Sequence, residues 1–465
     1  MKLLDPKILS FVDTIPSVKN SNSSPKKIIS LAFPVDEINF STLILNSQKS
    51  SNRFFYWAKP NENIYFFGYD ILTPCNLPGN NRVDTSTDLV ADKGNFITNK
   101  SEVGLEFLPL VIGGMFFPSH HKSDVWENFS SSDWYIPKYI FITNEHKSYI
   151  VLNFTNEGNL NSTIDEMIKT AVELVERFNN SFTSELLCRK DNQSDNDFKK
   201  WEKSITEILD GIAKNEFHKI VLSREVISTL SAVPSLEQIV DKLIYKFPEC
   251  YNFLFRSGGS IFFGASPEKL LKIQESVLET DALAGSIQRG KTKEEDDIYA
   301  EQLLSSKKDL IEQKAVLDFV IKAISKHSSE LEYDTQPIIR KLENIQHLWT
   351  PIKAKLKPGV PIFDIVKALH PTPAVCGVPC KKVIKFLEEH EPHHRGLYSG
   401  IIGWMNFDNE GEFAVGIRSA LIKNNKLYAY SGCGIVKGSD AKTEFEESQL
   451  KLRTILSLFE NESAN

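Results

Sequence analysis

Apolar positions change their period along the chain. In KYIFIT and SYIVLNF, within residues 138–154, β-branched and aromatic residues run almost unbroken, a strand pattern. Residues 163–188 switch to helical spacing, with Ile164, Met167, Ile168, Ala171, Leu174 and Val175 on one face. HKIVLSREVI is a second β-branched strand run, and SIFFGASPEKLLKI reads as strand, turn, then strand or short helix. Residues 296–326 contain neither proline nor glycine and predict one long helix. EFAVGIRSALI and KLYAYSGCGIV predict late strands, and residues 440–459 predict a closing amphipathic helix. Locally paired strands with long helices grouped between them predict an α+β fold rather than regular β-α-β alternation.

No solenoid-type repeat interrupts this order. Residues 18–27 (VKNSNSSPKK) read as a polar connection. Residues 189–198 (RKDNQSDNDF) are the sharpest break in composition, so the chain divides into residues 1–195 and residues 196–465. No chemical constellation occurs before residue 195, and the first region reads as a scaffold half.

With 465 residues the chain has room for a sizeable core, and 41% hydrophobic with 25% charged residues is ordinary for a soluble globular protein. A net charge of −7 gives no electrostatic reason to expect nucleic acid. An anionic substrate then needs locally placed cations or a metal. The start of the chain has no apolar leader pattern, and no run approaches the ~18 apolar residues of a membrane span. The six cysteines form no C-x-x-C pair, which argues against zinc and for reduced thiols in a cytoplasmic setting.

Five features carry candidate chemistry. Asp309 with Glu312, and Glu444 with Glu447, are carboxylate pairs three residues apart on helices, so each pair shares a face. Converging, they would suit a hard cation such as Mg²⁺; singly, each reads as a solvated helix face. Lys219 opens a buried strand run and reads either as a base, neutral through desolvation and nearby cations, or as a lysine snorkelling at a strand end. Glu268, after a Ser-Pro turn, reads as a general acid with a raised pKa or as a surface residue. Arg418, on an expected strand, and Tyr398, in a glycine-flanked turn, can grip a carboxylate. The segments 282–286 (ALAGS) and 431–436 (SGCGIV) let backbone N–H groups approach an anion. GCGIVKG does not fit the dinucleotide fingerprint.

The order and wording of these segments say more than any one of them. HKIVLSR, FFGASPEKL, ALAGS with Arg289-Gly290 soon after, KKDLIEQ, IQHLWT, LHPTPAVCG, RGLYSGIIGW, EFAVGIRSA and SGCGIVKGSD with EFEES follow one another over residues 217–448. In this the chain resembles the chorismate-utilising family of isochorismate, salicylate, anthranilate and aminodeoxychorismate synthases. The resemblance implies a large α/β sandwich of two sheets with flanking helices and a site in the C-terminal half. It implies Mg²⁺ on Glu312 and Glu447, with Asp309 and Glu444 as supporting partners. It puts chorismate against Ala284, Gly285, Ser286, His347, Tyr398, Arg418 and Gly432, with Lys219 as base and Glu268 as acid. Members that add water carry lysine at the place of Lys219, and members with a lysine nucleophile carry it where this chain has Ala284. Water is therefore the expected nucleophile and isochorismate formation the expected activity, in menaquinone or phylloquinone synthesis. Ala374 looks like the isochorismate-only members; salicylate synthase or a siderophore-pathway isochorismate synthase is the rival, and a non-catalytic chorismate-binding regulator a third possibility. A monomer, or at most a weak homodimer, is expected, without nucleic acid or membrane as partner. Gln313 and His393-His394 depart from the family's usual residues.

Overall fold

The strand RFFYWAK, Arg53–Lys59, shows why this chain needs cover on both faces of its sheet. Successive side chains alternate sides. Phe54, Tyr56 and Ala58 enter one core, whereas Phe55 and Trp57 enter another. With both faces apolar, the pattern is a continuous run instead of an alternation.

The computed structural model describes residues 27–48, 53–75, 96–98, 110–119, 123–157, 159–176, 188–189, 196–232, 234–343 and 345–459. The expected polar connection at 18–27 lies, but for Lys27, outside the described residues. The strands form one hydrogen-bonded network with two arms that meet at the strand Ser132–Asn144. One edge of that strand leads through Ile64–Pro74, Arg53–Lys59, Tyr251–Ser257, Ser260–Ser266, Ser419–Lys423 and Lys426–Ile435 to Lys219–Leu230. Its other edge pairs at one end with Lys147–Thr155. At the other end it leads through Val111–Met115, Ile401–Met405, Gly411–Val415, Lys269–Gln274 and Val277–Gln288 to Ile345–Leu356. All these pairings are antiparallel, as in a sheet built mainly from hairpins.

Three main cores stack through the molecule. The middle one lies between the arms and brings Phe55, Trp57, Phe253 and Phe262 against Ile112, Ile402 and Ala414. The outer face of the first arm is covered by the helices Phe40–Ser47, Leu160–Val175 and Leu236–Lys246. The outer face of the second is covered by Lys307–Ser325 and Ile362–Leu369. The result is the expected α+β sandwich, with helices outside two sheets. Strands from before and after residue 195 are neighbours, since Arg53–Lys59 pairs with Tyr251–Ser257 and Val111–Met115 with Ile401–Met405. Residues 195/196 therefore fall between stretches of sequence and do not separate two hydrogen-bonded units. Among the described residues, no helix is long and apolar enough to cross a membrane. Cys75, Cys250, Cys376 and Cys433 are buried thiols.

Two expectations are corrected. The long helix of residues 296–326 is two helices, Lys293–Ser305 and Lys307–Ser325. Ser306 breaks it because its Oγ accepts from the Asp309 N–H at 3.3 Å, capping the second helix. The strand expected through Arg418 is also two, Gly411–Val415 and Ser419–Lys423. Between them Gly416 N–H donates to Gly400 O, and the Arg418 carbonyl accepts from Ala265. Arg418 itself sits at φ 50°, left-handed backbone that a side-chain-bearing residue rarely adopts.

Candidate active site

One member of each carboxylate pair, Glu312 and Glu447, projects from a different helix into one cleft of about 750 Å³. Each of three acids is met by a lysine. Lys219, 2% exposed at the start of Lys219–Leu230, places Nζ 2.7 Å from Glu312 Oε1. Lys308 Nζ lies 2.6 Å from Glu444 Oε1, and Lys451 Nζ 2.7 Å from Glu447 Oε1. Asp309 instead accepts from Ser306 Oγ. Burial and the neighbouring Glu312 raise the Asp309 carboxyl above its usual range, and burial and Glu447 do the same for Glu444. At Glu312 burial pushes upward too, but Lys219 outweighs it and holds the group low.

Cations were expected around Lys219; the structure puts the Glu312 carboxylate against it, because the first turns of Lys307–Ser325 reach the strand end. The oxygen-only donors of these two pairs are those a hard divalent cation takes. Cys433, Glu444 and Glu447 bring ligand atoms within 4.8 Å of one another. With Cys433 facing Lys451 and donating to the Glu444 carbonyl, the carboxylates remain the donors suited to Mg²⁺.

Glu268 lies elsewhere on the same wall. The strand Ser260–Ser266 ends at Pro267, and Glu268 is fixed through Ser266 Oγ, which accepts its N–H at 3.2 Å, and through its carbonyl, which accepts from Val415. It is 6% exposed, and burial pushes its carboxyl up to about 7, with Lys219, Thr372 and Arg418 offsetting part of the rise. Thr372 Oγ1 is 3.5 Å from Glu268 Oε1.

The remaining wall handles anions. His347 Nδ1 lies 3.1 Å from the Gly285 carbonyl and 3.0 Å from Ser286 Oγ. A carbonyl only accepts, so Nδ1 carries the proton and Nε2 keeps a lone pair. Arg418 Nη2 faces that lone pair at 3.4 Å. Burial first, and then Arg418 and Lys451, keep His347 neutral by lowering it well below the usual histidine range. Gly285 takes φ 74° at a bulge where Ala284 and Ser286 oppose Leu348 and His347, which turns this carbonyl toward the ring. Tyr398 stacks on Tyr430 at 5.1 Å, and a Cβ on Gly432 would stand 3.0 Å from the Tyr398 hydroxyl. The glycine thus lets the phenol lie against the strand.

Eleven of the residues singled out in the sequence line the cleft: Glu268, Ala284, Gly285, Ser286, Glu312, His347, Ala374, Tyr398, Arg418, Gly432 and Glu447. Lys219, Asp309 and Glu444 stand behind that lining, in contact with it or with its neighbours. Every described lining residue follows residue 220, and the described residues of the N-terminal half supply sheet and core. Gln313 turns away and donates to Thr350 Oγ1 at 2.9 Å.

Of the other wall residues, Lys451 was missed in the sequence, and Ser431 and Gly434 entered only as parts of the segment 431–436. Lys451 lies four residues after Glu447, on the same helical face, and donates to Gly432 O at 3.0 Å. Ser431 lines the cleft, and its buried Oγ has no hydrogen-bond partner among the described residues. Gly434 is two residues beyond Gly432 on its strand, hence on the same face. A Cβ there would meet Lys219 Cε at 2.7 Å and Glu312 Oε1 at 2.8 Å. Gly434→Ala is therefore expected to lower turnover about 100-fold by displacing that pair, with the circular dichroism spectrum unchanged; steady-state rates check it.

Comparison with known proteins shows what this chain is similar to. A family model described as chorismate binding enzyme matches residues 13–460. The chain is 32% identical to an isochorismate synthase of Bacillus subtilis, over 75% of this chain and 74% of that protein. It is 28% identical to a chloroplastic isochorismate synthase of Catharanthus roseus, over 100% of this chain and 85% of that one. Its fold overlays the solved menaquinone-specific isochorismate synthase of Escherichia coli with a TM-score of 0.78 at 22% identity, covering 98% of each chain. A match across nearly the whole sequence, joined to a relative above 30% identity over three quarters of it, shows that this chain belongs to the chorismate-binding enzyme family.

Proposed function

We propose that the chain is an isochorismate synthase that adds water at C2 of chorismate and releases the C4 hydroxyl as water. The observation that carries this reading is a carboxylic acid, Glu268, buried on the same cleft as the Lys219–Glu312 pair, where burial pushes its carboxyl up to about 7. Addition needs a base at the incoming water and elimination needs an acid at the leaving hydroxyl. Arg418, Lys451 and Tyr398 supply cationic and hydrogen-bonding groups for the substrate's two carboxylates, and neutral His347 supports Arg418. Lys219 takes a proton from water as the neutral amine, its ammonium proton having left to solvent; a cation held by Glu312 would relieve the ion pair that favours the ammonium. The water oxygen bonds to C2, the ring double bonds shift, and the C4–O bond breaks as Glu268 delivers its proton. One water enters and one leaves, so the net reaction is an isomerisation.

Glu312 and Glu447 would hold magnesium, with Asp309 and Glu444 supporting them; the metal neutralises and orients the ring carboxylate when bound. Action in the cytoplasm fits the free thiols, and the long N-terminal half favours menaquinone or phylloquinone synthesis. The test is product analysis by chromatography after incubation with chorismate and Mg²⁺. Isochorismate alone supports the reading; salicylate with pyruvate would make the chain a salicylate synthase, and binding without turnover would make it a non-catalytic regulator.

A further inference from the structure

Three separate stretches of chain build the wall around Lys219, and one buried ion pair ties them together. The stretches are the strand Lys219–Leu230, the turn that carries Val375, and the segment that carries Tyr398 and Ser399. Arg395 donates through Nη2 to Val221 O at 2.7 Å, and through Nη1 to Val375 O at 2.8 Å and Ser399 Oγ at 3.2 Å. Its remaining N–H groups grip Glu391, Nε to Oε2 at 2.8 Å and Nη2 to Oε1 at 2.5 Å. All five guanidinium N–H groups are thereby used. Glu391 Oε1 accepts in turn from the Ser223 N–H and from Ser223 Oγ, both at 2.8 Å. The two side chains are 3% and 4% exposed, and the ring of Phe117 lies 4.4 Å from the guanidinium.

A pair buried this deeply is a poor source of stability. Desolvating two charges costs about what their attraction returns, and apolar replacements of similar volume are often as stable or more so. What an apolar pair cannot do is hold three carbonyl and hydroxyl oxygens from three segments at fixed distances. Two of those oxygens matter most. Val221 lies two residues beyond Lys219, and Ser399 is held at φ 51°, left-handed backbone for a residue with a side chain. Of the groups suited to anchoring the substrate's carboxylates, Arg418 and Lys451 reach the cleft from other elements than the three that Arg395 joins, whereas Tyr398 sits on one of them.

From this geometry we infer that Glu391 and Arg395 are positioning residues, which set Lys219 and the Val375 wall relative to a substrate anchored elsewhere. The inference rests on the isochorismate synthase reading above. Neither residue lines the cleft: Arg395 acts through Val221, Val375 and Ser399, which do, and Glu391 acts through Arg395 and Ser223.

The test compares Glu391→Leu/Arg395→Met, Arg395→Lys and the unmodified chain, by thermal melting and by kcat and KM for chorismate at saturating Mg²⁺. The double variant removes both charges and should melt within a few degrees of the unmodified chain. Its KM should stay within about threefold while kcat falls about 100-fold, the cost of a misplaced reacting group. Arg395→Lys keeps the charge paired but loses the fork, and kcat should fall about tenfold. A merely structural pair would show the reverse, with melting moved and kcat per folded molecule kept. A folded double variant with kcat within threefold of the unmodified chain overturns the inference. If the double variant does not fold, an unchanged kcat in Arg395→Lys overturns it just as well. An unmodified chain that makes no isochorismate sinks the functional reading itself, and this inference with it.

Discussion

Glu268→Gln will leave a folded chain with turnover reduced by about 10²–10⁴, the usual contribution of a positioned acid. Gln fills the same space and keeps the backbone bonds at Ser266 and Val415, so the loss is chemical. The unmodified enzyme should lose kcat/KM tenfold per pH unit above about 7, because only the protonated carboxyl can donate. Stability should move the other way in the variant. A folded-state pKa of about 7 against 4.5 for an ordinary glutamate means that between these values the native chain holds a proton the unfolded chain has released. Native stability therefore falls as pH rises from 4.5 to about 7 and levels off above it, a difference of about 3 kcal/mol. Glutamine has no proton to lose. The variant should thus be more stable than the unmodified chain at pH 8 by about that amount, with the gap nearly closed at about pH 4.5; urea titrations at both pH values measure it. Lys219→Ala should be as inactive as Glu268→Gln. Near-normal isochorismate formation by both variants would remove the acid and base assignments together.

Chelating divalent cations should abolish product formation, and added Mg²⁺ should restore it. Glu312→Gln and Glu447→Gln should each lower turnover at least about 100-fold, partly recovered by raising Mg²⁺. Asp309→Asn and Glu444→Gln should instead weaken Mg²⁺ binding by about 10–100-fold with kcat nearly kept at saturation, the behaviour of groups that orient a ligand. Calorimetric titration of Mg²⁺ in the presence of chorismate separates the two classes without relying on rates. Equal effects at all four positions would mean that the acids act as a general negative field and not as two ligands with two supports.

How much of this was readable in the sequence depends on the range of the interaction. Asp309 with Glu312, and Glu444 with Glu447, were legible because helical period alone puts them on one face. That both faces meet across a cleft depends on packing, and only the family resemblance anticipated it. Lys219 stood out as a charge opening an apolar strand, but its partner Glu312 lies 93 residues away. The break at Ser306 was written locally: Ser306 followed by Asp309 is a capping-box pattern, and the Pro- and Gly-free run concealed it. The kink at Arg418 was not written locally, since its bonds go to Gly400 and Ala265. Arg395 and Glu391 are four residues apart, an ordinary surface spacing, and nothing in the sequence shows that both are buried against Val221 and Val375.

The central claim is that solvent water, activated in this cleft, becomes the new hydroxyl of the product. Turnover of chorismate in ¹⁸O-labelled water, followed by mass spectrometry of the isochorismate, tests it in one step. One ¹⁸O atom, located at C2, is expected in every product molecule formed. Unlabelled isochorismate would show that the hydroxyl migrates within the substrate, and the assignment of Lys219 as base and Glu268 as acid would be wrong.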